Sequence, residues 1–212
     1  MIISQKAVYS IIFFEVGSPA NYIKQYQHPK AEVGDSGITI GIGYDLGYNK
    51  KEQIQSDWGD VLPAETVKLL ESVSGLKGDK ARESINTVKD LTIPLDSAMK
   101  VFINRSLKHY SIITISVYPG VDKLLPDAAG ALLSLIYNRG ANTDKNLDRR
   151  VEMFNIKDLV VKKDYNGIAD QISAMKRLWG DAENGLRIRR DMEAELVRKA
   201  IREYKQEELI NI

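Results

Sequence analysis

The chain has 212 residues, with 30 Lys and Arg against 29 Asp and Glu, two histidines and no cysteine. Without cysteine there is no disulfide framework and no thiol nucleophile, and a net charge near zero argues against a protein built chiefly to grip nucleic acid. His28 and His109 are too far apart in sequence to suggest a zinc site, so no metal is expected; no apolar run reaches the roughly 20 residues that span a bilayer, so no membrane insertion is expected either.

The segment Met1–Gly17 is apolar but carries Gln5, Lys6 and Glu15 and lacks a small-residue cleavage site, which reads as a helix rather than a secretory signal. Ser4–Phe14 has helical spacing, with Ala7, Val8, Ile11 and Ile12 on one side and Ser4 as the N-cap. Gly17-Ser18-Pro19 stops that helix and leaves Glu15 at its C-terminal end. From Asn21 to Tyr48, tyrosines, β-branched residues and glycines predict a small β lobe with tight turns. Within it Thr39-Ile40-Gly41-Ile42-Gly43-Tyr44 alternates like a strand, and its glycines suggest close approach of the backbone to a ligand or to another segment.

The remainder reads as helical. Asp96, following Pro94, is expected to cap a segment from Ser97 to about Tyr110. Pro126-Asp127 opens an apolar stretch, Ala128–Tyr137, with too few polar positions for a surface helix, which predicts a buried central helix. Asn166–Trp179 and Leu186–Tyr204 are amphipathic, the second heavily charged on its outer face. The expectation is one α+β domain over 1–212, mainly helical, with an N-terminal helix (4–15), a β lobe over about 18–50 and a helical lobe over about 60–212. The two lobes are expected to pack with a cleft between them.

A carboxyl at a helix C-terminus in apolar surroundings resists ionisation, because the negative end of the helix dipole and desolvation both disfavour its charged form. Glu15, preceded by Ile11-Ile12-Phe13-Phe14, has that expected setting, which suits a proton donor. On an even alternation Thr39, Gly41, Gly43 and Asp45 share one strand face, a hydroxyl and a carboxylate with room between them for a sugar or a water. Glycosidic cleavage needs such a set: one acid for the leaving oxygen, and a second group that handles water. Asp45 can equally be a turn residue that bonds its own backbone ahead of Gly47. Tyr22, Tyr26, Tyr44 and Tyr48 are candidates for stacking on sugar rings. Asn138 either closes its helix or faces a substrate, and Arg187, Arg189 and Arg190 read as a solvated or salt-bridged face.

Glu15-Val16-Gly17 followed by Gly37-Ile38-Thr39-Ile40-Gly41-Ile42-Gly43-Tyr44-Asp45 resembles the active-site stretch of phage-type lysozymes, glycoside hydrolase family 24. It looks most like pesticin-like toxin and effector lysozyme domains. Ala131–Gly140, ending in Tyr137-Asn138-Arg139-Gly140, resembles the core helix of that family. Met175–Trp179 with Gly185–Arg190 resembles its closing segment. The resemblance implies a lysozyme-like fold and a cofactor-free muramidase that cuts the β-1,4 bond between N-acetylmuramic acid and N-acetylglucosamine. It makes Glu15 the general acid, Thr39 the residue that positions water and Asp45 the carboxylate that assists it. Tyr22, Tyr44, Tyr48 and Asn138 then bind substrate. T-even phage lysozymes place the second acid before the strand, where Asp35 is the alternative.

The expected partner is bacterial peptidoglycan, with an immunity protein or delivery machinery as further candidates; a monomer is expected. Without a secretory signal the chain is expected to be made in the cytoplasm. It would act in the periplasm or on the cell wall after delivery or release, as a phage endolysin or as a bacterial toxin or effector. A lytic transglycosylase is the neighbouring reading, although those enzymes typically carry serine where Val16 follows the glutamate. A non-catalytic wall-binding module is the other alternative.

Overall fold

A computed structural model describes residues 1–31 and 34–212. In chain order it begins with β1 (Ile2–Ser4), α1 (Gln5–Val16) and α2 (Pro19–Gln25), then β2 (Lys30–Ala31), β3 (Ile38–Ile40) and β4 (Tyr44–Asp45). Four helices follow: α3 (Lys51–Trp58), α4 (Ala64–Ser72), α5 (Asp79–Ser84) and α6 (Leu95–Val101). Next come α7 (Leu107–Val117), α8 (Pro126–Arg139), α9 (Val151–Lys162), α10 (Tyr165–Ala174), α11 (Asn184–Arg198) and β5 (Leu209–Asn211). Helix accounts for about 66 % of the chain and the strands pair antiparallel, so the fold is mainly helical α+β. Among the described residues no helix is long and apolar enough to cross a membrane.

The chain divides into two compact units, Glu15–Leu107 and the discontinuous pair Met1–Phe14 with Lys108–Ile212. The unit that carries β2 to β4 thus runs to Leu107, well past the lobe of about 18–50 read from the sequence.

In the discontinuous unit β1 pairs with β5 and lies against α8. Ser4 accepts a hydrogen bond from the Ala7 amide (3.2 Å), as an N-cap should. α8 is buried from Asp127 through Ile136, the central helix predicted from its apolar run. α11 packs against both α8 and α10. Arg189 and Arg190 are buried rather than solvated, both ion-paired with Glu193 at 3.3 and 2.8 Å. Glu193 also accepts from the Ser134 hydroxyl at 2.6 Å.

In the Glu15–Leu107 unit the sheet order is β2-β3-β4. Ile38, Ile40, Tyr44 and Leu46 point inward, and Trp58, fully buried, packs edge-on to Tyr44 with ring centroids 5.4 Å apart. Asp96 is no cap. α6 starts at Leu95 after Pro94, and a π-helical turn at Phe102–Ser106 carries the helix on into α7. Two further features depart from the sequence reading. Asn21–Gln25 is helical because Ser18 caps the Asn21 amide (3.1 Å) and Pro19 takes the first helical position. The run Thr39–Tyr44 is a hairpin, since Gly41 (φ 58°) and Gly43 (φ 68°) adopt left-handed backbone that turns the chain.

Candidate active site

Glu15 is the penultimate residue of α1, and the turn after it is fixed twice over. Gly17 takes φ 73°, the left-handed conformation that ends a helix, and the Asn21 side-chain amide donates to the Val16 carbonyl at 2.8 Å. The side chain of Glu15 is half-buried. α2 and the segment after it are held to the stretch before α6 by three bonds. The Ile93 amide donates to the Gln27 carbonyl (2.8 Å), the Tyr22 hydroxyl donates to the Ile93 carbonyl (2.9 Å), and His28 Nδ1 lies 2.9 Å from the Leu91 carbonyl. A carbonyl can only accept, so Nδ1 carries the proton there and Nε2 is the basic nitrogen of the neutral ring.

These anchors build one pocket within the Glu15–Leu107 unit, enclosing about 230 Å³. Glu15 and Val16 reach it from the end of α1; Tyr26, His28 and Lys30 line it from the stretch between α2 and β2. Thr39, Gly41 and Gly43 contribute the hairpin side. Gly41 has no room for a side chain toward the core, where a Cβ would sit 3.0 Å from the Trp58 ring and 3.3 Å from Ala98 Cβ. Bare backbone is the result at the pocket wall, as the glycines of this run suggested.

The sheet register sets Lys30 opposite Thr39, and Thr39 opposite Asp45. The two residues that alternation had placed on one strand are thus neighbours across a hairpin. Asp45 nevertheless does not line the pocket. Its carboxylate accepts the Gly47 amide at 2.7 Å and the Gly37 amide at 3.1 Å through each oxygen, capping the helical turn Leu46–Tyr48. This is the turn role open to Asp45 in the sequence, and it engages the carboxylate with backbone amides rather than with the pocket. Asp35 is exposed and lies outside the pocket.

Residues 15–117, just under half of the chain, match a family model described as a domain of unknown function (DUF8812). None of the curated proteins matches the chain. The family match starts at Glu15 and takes in every residue that lines the pocket.

The tyrosines sort by burial. Tyr22 is fully buried, and its burial raises the phenol far above its usual range. Tyr44 is 7 % exposed, donates to Asp57 Oδ2 at 2.9 Å, and is likewise raised by burial and then by that aspartate. Both are core residues, which corrects their assignment to sugar stacking. Tyr48 is 67 % exposed and lies outside the pocket, with Lys77 Nζ 3.3 Å from its ring centroid. Of the four candidate tyrosines, Tyr26 alone lines the pocket. Asn138 lies inside α8, whose end is made by Gly140 at φ 75°, so capping is not its task. Among the described residues no group of acidic and histidine side chains could hold a metal ion. Sequence reasoning assigned no role to His28 and Lys30, because β2 is two residues long and shows no alternation that would predict its pairing with Thr39.

Proposed function

We propose that this chain is a peptidoglycan hydrolase, a muramidase acting on the β-1,4 bond between N-acetylmuramic acid and N-acetylglucosamine, with a fold of the phage-type lysozyme kind. The observation that carries the reading is the convergence of Glu15 and Thr39 on one pocket walled by Gly41 and Gly43. The ordered resemblance to pesticin-like lysozyme domains, from Glu15 through Arg190, supports it.

In this reading Glu15 gives its proton to the leaving glycosidic oxygen as the C–O bond breaks. The Thr39 hydroxyl holds the water whose oxygen bonds to the anomeric carbon from the other side. His28, in the same pocket with Nε2 as its basic nitrogen, takes the proton that water loses. Asp45 positions Thr39: by docking on Gly37 and Gly47 it fixes the strand opposite. No metal or cofactor enters the mechanism. Peptidoglycan lies outside the cytoplasm, so the enzyme meets it after delivery or release.

The deciding experiment is mass spectrometry of muropeptides released from purified peptidoglycan. Reducing N-acetylmuramic acid ends are expected. Anhydro-sugars would mean a lytic transglycosylase, and wall binding without release would mean a non-catalytic module.

A further inference from the structure

We infer that Lys30 sets the specificity of the pocket by receiving a carboxylate carried on the sugar next to the cleaved bond; this deepens, and rests on, the glycosidase reading above. Lys30 stands directly opposite Thr39 in the sheet. Directly opposed residues send their side chains to one face, with Cβ atoms about 4.5–5.5 Å apart. The two side chains therefore leave the sheet on one face, and both residues line the same pocket. Lys30 is half-buried, and among the described residues it forms no ion pair; its Nζ stands 5.0 Å from the centroid of the Tyr26 ring. A partly desolvated cation is costly unless something of opposite charge meets it. The aromatic face steadies the ammonium without neutralising it. A lysine set opposite Thr39 at a pocket wall is placed for an anion that arrives with the substrate.

Glycan strands differ in whether they bring one. A muramic acid residue carries a lactyl ether that ends in a carboxylate or, through an amide, in a peptide with carboxylates of its own. A chain of N-acetylglucosamine carries neither. Lys30 thus gives the pocket a reason to prefer muramic acid strands over neutral ones, independent of the groups that break the bond.

The test is binding to the Glu15→Gln protein, with and without a second change at Lys30, measured by calorimetry. Four ligands are compared: peptide-bearing strands, peptide-free strands with free lactyl carboxylates, the same strands with the carboxylates reduced to alcohols, and N-acetylglucosamine oligomers. Glu15→Gln is expected to bind at least one carboxylate-bearing ligand about tenfold or more tighter than the reduced strands, as befits a charge-assisted contact. Adding Lys30→Met or Lys30→Gln should bring that ratio near one, whereas Lys30→Arg should keep most of it. Whichever ligand loses its advantage, peptide-bearing or peptide-free, identifies the carboxylate. A preference that survives both neutral substitutions, or affinity lost equally for charged and reduced strands, overturns the assignment. Turnover by the unmodified protein is measured beside it. If none of the strands is cleaved, the glycosidase reading fails, while the binding ratios still decide for or against Lys30.

Discussion

Thr39 and Asp45 are cross-strand partners whose side chains end in different places, Thr39 on the pocket and Asp45 on the amides of Gly37 and Gly47. The pair is divided between a group open to the pocket and a group that holds the backbone carrying it.

Asp45→Asn should therefore act first on stability. An amide nitrogen turned toward Gly37 or Gly47 would meet an N–H where a carboxylate oxygen now accepts, a loss of about 1–3 kcal/mol. Gly37→Ala should do similar damage with no change of charge, because its Cβ would sit 2.4 Å from Asp45 Oδ1 and from the Gly47 nitrogen. Asp35→Asn, at an exposed position, should stay within about 0.5 kcal/mol of wild type. Thermal unfolding of the three variants checks this. An Asp45→Asn protein that is as stable as wild type yet inactive would return Asp45 to a direct chemical role.

Glu15→Gln keeps the size of the side chain and removes its acidic proton. Lysis of cell walls should fall by at least about 10²-fold, the lower range for loss of a general acid, with unfolding little changed. A folded variant that retains most of its lytic rate would remove Glu15 from the mechanism.

The reaction should invert the anomeric centre. A retaining route needs a second carboxylate about 5–5.5 Å from the acid as nucleophile, and Glu15 is the one carboxylate among the described residues that line the pocket. NMR of fresh product, read before mutarotation, should show the α-anomer from the β-linked substrate. His28→Gln should cost about 10²-fold or more by the same reasoning as for Glu15. Added azide, which needs no deprotonation, should restore turnover and yield an α-glycosyl azide. A β-anomer, or a sugar trapped on the protein, would mean double displacement.

In the discontinuous unit Arg177 donates to Glu152 at 2.6 Å and to Asp148 at 2.9 Å. The hydrogen bond from Arg177 is the main cause that holds the Asp148 carboxyl below its ordinary range. A depressed carboxylate stabilises the fold above its unfolded pKa, about 3.9, and the gain is lost as pH falls through the folded value. Arg177→Met should thus lower Tm at pH 7, and the gap from wild type should close as pH drops below about 4. Added salt should narrow it at neutral pH, since the pair is solvent-accessible. A gap of equal size at pH 3 and pH 7 would assign the loss to packing instead.

Much of this protein was legible in its sequence, and what was not has physical reasons. The end of α1 at Glu15, with glycine just past it, and the buried helix after Pro126 follow from strong local signals. The hairpin did not, because glycines in an alternating run read alike as a strand and as a turn until their φ angles are known. Tyr22 and Tyr44 read as candidates for sugar stacking because their partners, Ile93 and Asp57, lie in other segments, 71 and 13 residues along the chain. Arg189 and Arg190 break the rule that charge marks solvent, and Glu193 and Ser134 are what allow it. Lys30 acquires its meaning only from the register of a two-residue strand.

The contact between α1 and α8 has a consequence for how the chain is made. A Cβ on Gly130 would lie 2.3 Å from Ala7 Cβ, so the two helices meet nearly backbone to backbone. Met1–Phe14 belongs with Lys108–Ile212, and the stretch between them forms a compact unit of its own. During synthesis the first helix leaves the ribosome long before α8 exists to receive it, and its apolar residues Ala7, Val8 and Ile11 must wait uncovered until then. The Glu15–Leu107 unit has all of its own chain at that stage and can fold first, after which joining Met1–Phe14 to Lys108–Ile212 is a single non-local step. Circular permutation that joins the two termini and opens the chain at the boundary near Lys108 would make α8 and α1 parts of one continuous segment, and refolding of the helical body should then be faster than in the natural order.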